Sequence, residues 1–118
     1  MPSDDELEQA ARAVLVETAA RGSTITYAAL VERVPALEPR RRAGRLGEVL
    51  RRITLEEAAA GRGMLSAVVV RSRGEALPGA GFFRLAEELG RDVSDRSACW
   101  RSELARVVAE HRPGEGGR

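Results

Sequence analysis

Apolar residues recur every three or four positions along several stretches of the chain, and the first stretch predicts an amphipathic helix. Ser3 and Glu6 have the spacing of a capping box, in which two side chains satisfy backbone N–H groups at a helix start. Gly22 follows the last periodic position, where a glycine commonly ends a helix. The predicted buried stripe of this helix consists of Leu7, Ala11, Val14, Leu15 and Thr18.

A second helix is predicted over residues 27–34, after a short β-prone connector. Thr26 stands directly before it and carries a hydroxyl of the kind that caps helix starts. Pro35 and Pro39 then bracket a loop, since proline disrupts a helix interior. The pattern therefore indicates helix, turn and a further helix.

The third helix is predicted to start near Arg41 or Arg42 and to run to Ala60 as one element. A break at Thr54 is the alternative, because Thr54 and Glu57 form a second capping-box pattern. The apolar positions of this helix are Leu46, Val49, Leu50 and Ile53.

In the rest of the chain the spacing of the apolar residues changes from one segment to the next, which predicts both strands and helices. Residues 64–71 are apolar and β-branched, which is typical of a buried strand, and 72–75 have the composition of a turn. Segment 77–83 is strand-like and leads into a short helix ending at Gly90. A final helix begins near residues 94–95, and its predicted inner stripe consists of Trp100, Leu104, Val107 and Val108.

This order of elements predicts an α+β fold in which helices dominate. A helix-turn-helix followed by a short β-hairpin is the layout of a winged helix, here with an added C-terminal helix. The length of 118 residues suits one domain, which we place at 1–112. Residues 113–118 are rich in glycine and are predicted to form a flexible tail.

Composition excludes several classes of protein. One cysteine, Cys99, rules out an internal disulfide, and with the single histidine, His111, it makes a His/Cys metal site improbable. No apolar run exceeds five residues, against the roughly 20 that a membrane span needs. The acidic N-terminus does not resemble a signal peptide. We therefore expect a cytoplasmic protein with no membrane partner, no metal and no cofactor.

Charge is segregated along the chain although the net charge is only +1. Residues 21–62 carry nine arginines against five acids, and 63–84 carry three arginines against one acid, whereas both ends are mildly acidic. The sharpest cluster consists of Arg40, Arg41, Arg42, Arg45, Arg51 and Arg52. Arginines at the start of a recognition helix reach base edges and phosphates. The alternative is a solvated helix face whose arginines pair with Glu38, Glu48, Glu56 and Glu57.

Three local features have a functional and a structural interpretation. Tyr27, at the start of the second helix, suits a phosphate contact, or else packs under the sheet. Gly79 and Gly81 suit an anion cradle, or else belong to a turn that docks two phenylalanines in the core. Ser66 lacks the sequence context of a catalytic serine, and nothing else marks a catalytic group. An enzymatic function is not predicted.

Four segments carry a resemblance to known proteins: ITYAAL at 25–30, LGEVL at 46–50, LSAVVV at 65–70 and LPGAGFF at 77–83. They resemble a group of small uncharacterised bacterial proteins and, more loosely, domains associated with HNH endonucleases. A more distant similarity is to the winged-helix domain of alkyltransferase-like proteins. Alkyltransferases carry a Pro-Cys-His-Arg motif where this chain has GMLSA at 63–67, so alkyl transfer is not implied. The resemblance implies a winged-helix-like fold and an association with DNA.

The leading hypothesis is a non-catalytic protein that binds nucleic acid, with DNA as the favoured partner. Its predicted contacts are Tyr27, Arg40, Arg41, Arg42 and Arg45, with Arg71 and Arg73 from the wing. The alternative is a protein-interaction module, or a subunit of a larger complex, whose acidic first helix or C-terminal helix docks a protein partner or a second copy.

Overall fold

The computed structural model describes residues 4–34, 39–72 and 77–112. Within these ranges the chain forms five α-helices, a 3-10 helix and two short strands. In chain order they are α1 (Asp4–Ala20), β1 (Ile25–Thr26), α2 (Tyr27–Arg33), α3 (Pro39–Ala59), the 3-10 helix (Leu65–Val68), β2 (Val69–Val70), α4 (Ala80–Glu88) and α5 (Arg96–His111). The predicted cap residue Ser3 and the predicted tail 113–118 lie outside the described residues.

The helices begin where the sequence carries capping side chains. The hydroxyl of Thr26 accepts a hydrogen bond from the Ala29 N–H at 3.2 Å, and the carboxylate of Asp95 accepts one from the Ala98 N–H at 3.0 Å. Gly22, two residues beyond α1, has a φ of 69°, a conformation that side-chain-bearing residues rarely adopt. These local signals fixed the helix ends as predicted.

The third predicted helix forms as one element without a break at Thr54. The Thr54 hydroxyl does not cap a helix but donates a hydrogen bond of 2.8 Å to the hydroxyl of Ser66. The helix starts at Pro39, two residues before the earlier of the two predicted starts. Proline suits the first helical position because its fixed φ is already helical and the N–H it lacks has no partner there.

The predicted strand at 64–71 is mostly wrong, since only Val69 and Val70 form a strand and Leu65–Val68 form the 3-10 helix. Side chains of α5 explain the difference. The Met64 N–H donates to the Glu103 carboxylate at 3.0 Å, and the Ala67 carbonyl accepts from the Trp100 indole N–H at 2.8 Å. The backbone polar groups that a strand would pair with a neighbour are satisfied by these contacts instead.

The sheet of the described residues is parallel, where the sequence predicted a hairpin. Strand β1 pairs with β2, with Ile25 opposite Val69 and Thr26 opposite Val70. One hydrogen bond links the two sides of the predicted hairpin, from the Arg71 N–H to the Leu77 carbonyl at 3.0 Å. Of the predicted turn at 72–75, residues 73–75 lie outside the described residues. The α+β class, the dominance of helices and the C-terminal helix are confirmed.

The apolar side chains form two adjoining clusters. The larger lies between α1, α3 and α5 and contains the four apolar residues of the predicted α1 stripe together with Leu46, Val49, Ile53 and Val107; the fifth stripe residue, Thr18, is also buried. The smaller lies under α4 and contains Met64, Ala67, Phe82, Phe83, Leu85, Ala86 and Cys99. Leu104 packs against both. Within the described ranges, no helix combines the length and the apolar character needed to cross a lipid bilayer.

Candidate functional site

A cleft of about 390 Å³ opens between the middle of α3, the end of β2 and the start of α4. Its floor is apolar and consists of Leu50, Val69, Val70, Pro78, Phe82 and Leu85. Its rim is polar and carries Tyr27, Arg51, Ser66, Arg71, Arg84 and Glu88. The cleft thus combines an apolar interior with three arginines and one carboxylate at its mouth.

The α4 side of the cleft is held in place by two phenylalanines. Phe82 and Phe83 are 8% and 4% exposed, and their rings meet edge to face with centroids 5.2 Å apart. The guanidinium of Arg96, on α5, lies 5.0 Å from the centre of the Phe83 ring on the other side. The interpretation of this segment as one that docks a phenylalanine pair in the core is confirmed.

Two arginine side chains lie beside the glycines of the same segment. A methyl group at Gly79 would lie 3.7 Å from Cδ of Arg71, so the aliphatic stem of that arginine runs across the glycine. A methyl group at Gly81 would lie 3.9 Å from an Nη atom of Arg84. Both distances are ordinary van der Waals contacts, and both arginines are exposed. Arg71 and Arg84 therefore lie close to the start of α4.

An ion pair bridges the mouth of the cleft from α3 to α4. The two Nη atoms of Arg51 donate to the two carboxylate oxygens of Glu88, at 2.7 and 3.3 Å. The hydrogen bonds from Arg51 lower the pKa of Glu88 most strongly, burial opposes them, and the positive charges of Arg51 and Arg84 lower the pKa further. Glu88 is therefore ionised at neutral pH and offsets part of the positive charge of the rim.

Tyr27 packs against the core, as its structural interpretation predicts, and its phosphate contact stays a prediction. Its ring is half-buried and packs against the larger apolar cluster, while the residue also lines the cleft. Burial raises the pKa of its phenol, so the hydroxyl remains protonated and able to donate a hydrogen bond at neutral pH.

The structure brings two of the seven predicted contacts together, because Tyr27 and Arg71 both line the cleft. Arg45 is half-buried on α3 and is not part of the lining. The start of α3 includes the backbone of Arg40, Arg41 and Arg42, whose side chains are not among those that the structure describes. Arg73 lies outside the described residues altogether.

Arg51 and Arg52 follow the alternative interpretation in that each pairs with a carboxylate. Arg51 turns toward Glu88 of α4, and Arg52 toward Glu8 of α1, at 3.3 Å, and neither of these two carboxylates is among the predicted partners. Successive residues of a helix point about 100° apart, which directs the two neighbours to different sides of α3. Sequence reasoning also missed Arg84 and Glu88 as parts of the cleft.

The surfaces invoked for protein docking are used largely within the chain. Trp100 is half-buried and donates its indole N–H to the Ala67 carbonyl. The acidic helix α1 packs against α3 and α5, and its Glu8 and Glu17 pair with arginines. Among the described residues, Leu55 is the one large apolar side chain that is exposed, at 38%. These observations do not favour the alternative function.

The residues considered as possible catalytic or metal-binding groups lie in different parts of the fold. Ser66 lines the cleft and accepts the hydrogen bond from Thr54. Burial, followed by the charge of Glu103, raises the pKa of the Cys99 thiol. His111 ends α5 beside Glu57. No group of three or more potential metal ligands occurs in the part of the chain that the structure describes.

Comparisons of the chain with models of protein families, with curated protein sequences and with solved structures give no match. The geometry and charge of the cleft are therefore the basis on which a function is proposed.

Proposed function

We propose that this protein binds nucleic acid, with DNA as the favoured partner, through the rim of the cleft between α3 and α4. The observation that carries the proposal is that Arg51, Arg71 and Arg84 converge on one cleft whose lining includes a single carboxylate. Arginine is the side chain best suited to phosphate, because its planar fork of N–H groups matches two phosphate oxygens at once.

The start of α3 extends this surface along one helix. In the proposal α2 and α3 form the helix-turn-helix, and the segment after β2 forms the wing. Arg40, Arg41 and Arg42 precede Arg51 by nine to eleven residues of the same helix, a distance of about 15 Å at 1.5 Å per residue. A nucleic-acid strand lying along α3 would meet both groups of arginines. The Tyr27 hydroxyl would add a neutral hydrogen-bond donor beside them.

Binding is tested by fluorescence polarisation with labelled duplex and single-stranded oligonucleotides of random sequence over a series of salt concentrations. Arg71→Ala removes a cation of the rim, and Arg101→Ala removes one from an exposed position of α5 that does not line the cleft. If Arg71 contacts one phosphate, its loss flattens the plot of log affinity against log salt by about 0.9 for a duplex, whereas Arg101→Ala leaves that slope nearly unchanged.

Two results would overturn the proposal. One is the absence of binding to both oligonucleotides at low salt, where electrostatic attraction is strongest. The other is an equal loss of affinity in the two variants, since that would reflect net charge alone and not a contact at the cleft. Circular dichroism of both variants checks that each retains its helices.

A further inference from the structure

The Arg51–Glu88 pair has the geometry of an arginine bound to an anion. Both Nη atoms face both carboxylate oxygens, as they would face two oxygens of a phosphate. The pair lies at the mouth of the cleft and joins α3 to α4 through two residues that are 37 positions apart in sequence. The arginine and glutamate side chains are 50% and 52% exposed, so solvent and ligands reach both.

We propose that Glu88 acts as an internal competitor of the nucleic-acid ligand, by occupying on Arg51 the place that a backbone phosphate takes in the complex. This inference rests on the proposed function. Among the described residues that line the cleft, Glu88 is the one carboxylate, and it pairs with Arg51 across the two helices. In the free protein its negative charge also lies near Arg84.

The exposure of the pair makes this exchange feasible. Ion pairs between exposed side chains contribute little to stability, because water solvates both partners and the side chains lose entropy when they pair. A phosphate is therefore able to replace the carboxylate on Arg51 without disturbing the core. Since Glu88 is ionised at neutral pH, the competition is present throughout the neutral range.

The competition selects for a particular kind of ligand. An isolated phosphate that binds Arg51 gains one arginine contact and must displace Glu88 to obtain it. A strand presents several phosphates in a row, so contacts to Arg71 and Arg84 offset the displacement. The carboxylate thus favours a polyanionic chain over a mononucleotide.

The test compares Glu88→Gln with Glu87→Gln, which removes the same charge from the adjacent, exposed position of α4 that does not line the cleft. Long-range attraction to nucleic acid rises equally in both variants, so any difference reports the release of Arg51. We expect Glu88→Gln to bind labelled oligonucleotides about two- to fivefold more tightly than Glu87→Gln at about 0.1 M salt.

The same two substitutions are then made together with Arg51→Ala. Without the guanidinium there is nothing to release, so the advantage of Glu88→Gln over Glu87→Gln shrinks to what Arg84 contributes. Binding by Glu88→Gln where the wild type binds too weakly to detect supports the inference.

Equal affinities of the two single variants, with the wild type binding, overturn the inference and leave the proposed function standing. An undiminished advantage in the Arg51→Ala background also overturns it, because Arg51 is then not the group released. Absence of binding by every protein overturns the inference and the proposed function together.

Discussion

Replacing Glu57 with glutamine should destabilise the protein more than any other single charge removal on α3. The Glu57 side chain is only 3% exposed and accepts hydrogen bonds from Nη1 of Arg12 at 2.6 Å and from Nε and Nη2 of Arg62 at 2.8 and 2.9 Å. A neutral amide cannot serve as a full acceptor for two guanidinium groups, and its own N–H groups would face them.

The size of the effect follows from the pKa of the carboxyl group. The hydrogen bond from Arg62 and then that from Arg12 lower the pKa of Glu57 from 4.5 to about 2, although burial opposes the change. That difference corresponds to about 3 kcal/mol in favour of the charged carboxylate. The side chains of Arg12 and Arg62 are 30% and 47% exposed. Solvent screening therefore reduces the expected loss to about 2 kcal/mol.

The pH dependence has a defined sign. Because the pKa of Glu57 is lower in the folded state, its contribution is fully present above the ordinary value of 4.5 and is lost as the pH falls toward about 2. Urea unfolding followed by circular dichroism gives the free energy of unfolding of the wild type and of Glu57→Gln. The gap between them should fall by half or more between pH 7 and about pH 3.

Two controls isolate the carboxylate. Nε2 of His111 lies 3.8 Å from Oε1 of Glu57, so the comparison is repeated with His111→Gln in both proteins. Glu56→Gln removes a neighbouring carboxylate that also pairs with Arg12 but is 50% exposed, and it should have little effect. The reasoning is refuted if Glu56→Gln and Glu57→Gln are equally destabilising, or if the gap stays constant from pH 7 to about pH 3.

Two further predictions use the glycines and the thiol. Gly61→Ala should lower the free energy of unfolding by about 1 kcal/mol, because φ at Gly61 is 82°. Gly44→Ala, at an exposed position of α3 with no atom within 4 Å of the new methyl group, should raise it by up to about 1 kcal/mol. Shifts of the same sign in urea unfolding would contradict this contrast. Cys99 is 7% exposed and burial raises its pKa, so Ellman's reagent should modify it far more slowly in the native protein than in urea; equal rates would contradict its placement.

The helices were predictable because their determinants are local. The apolar stripe of α1 and the caps Thr26 and Asp95 each depend on residues within a few positions of one another. The strand at 64–71 was not predictable in the same way. Its conformation is set by Glu103 and Trp100, which contact Met64 and Ala67 from 39 and 33 positions away. Composition favoured a strand, and tertiary contacts decided otherwise.

The residues of the cleft also fall into a group that local sequence signals indicated and a group that they did not. Tyr27 and Arg71 stand at element boundaries, where local signals drew attention to them. Arg84 and Glu88 lie on α4. Their place at the cleft depends on how Phe82 and Phe83 dock that helix against the core. No spacing rule connects Glu88 with Arg51 across 37 positions. Packing between distant elements therefore determines the charge of the site, and sequence patterns do not report it.

Charge at the two sides of α3 is balanced differently, and this has a consequence for binding. On the side facing α1, the carboxylates of Glu8, Glu56 and Glu57 surround Arg12 and neutralise the nearby arginines. On the side facing α4, three arginines and the carboxylate of Glu88 line the cleft among the described residues. Arginine stays protonated at all physiological pH values, and the lowered pKa of Glu88 keeps its carboxylate ionised. The charge of these four side chains is therefore constant across the neutral range, and under the proposed function we expect salt concentration, rather than pH, to govern the affinity for a polyanion.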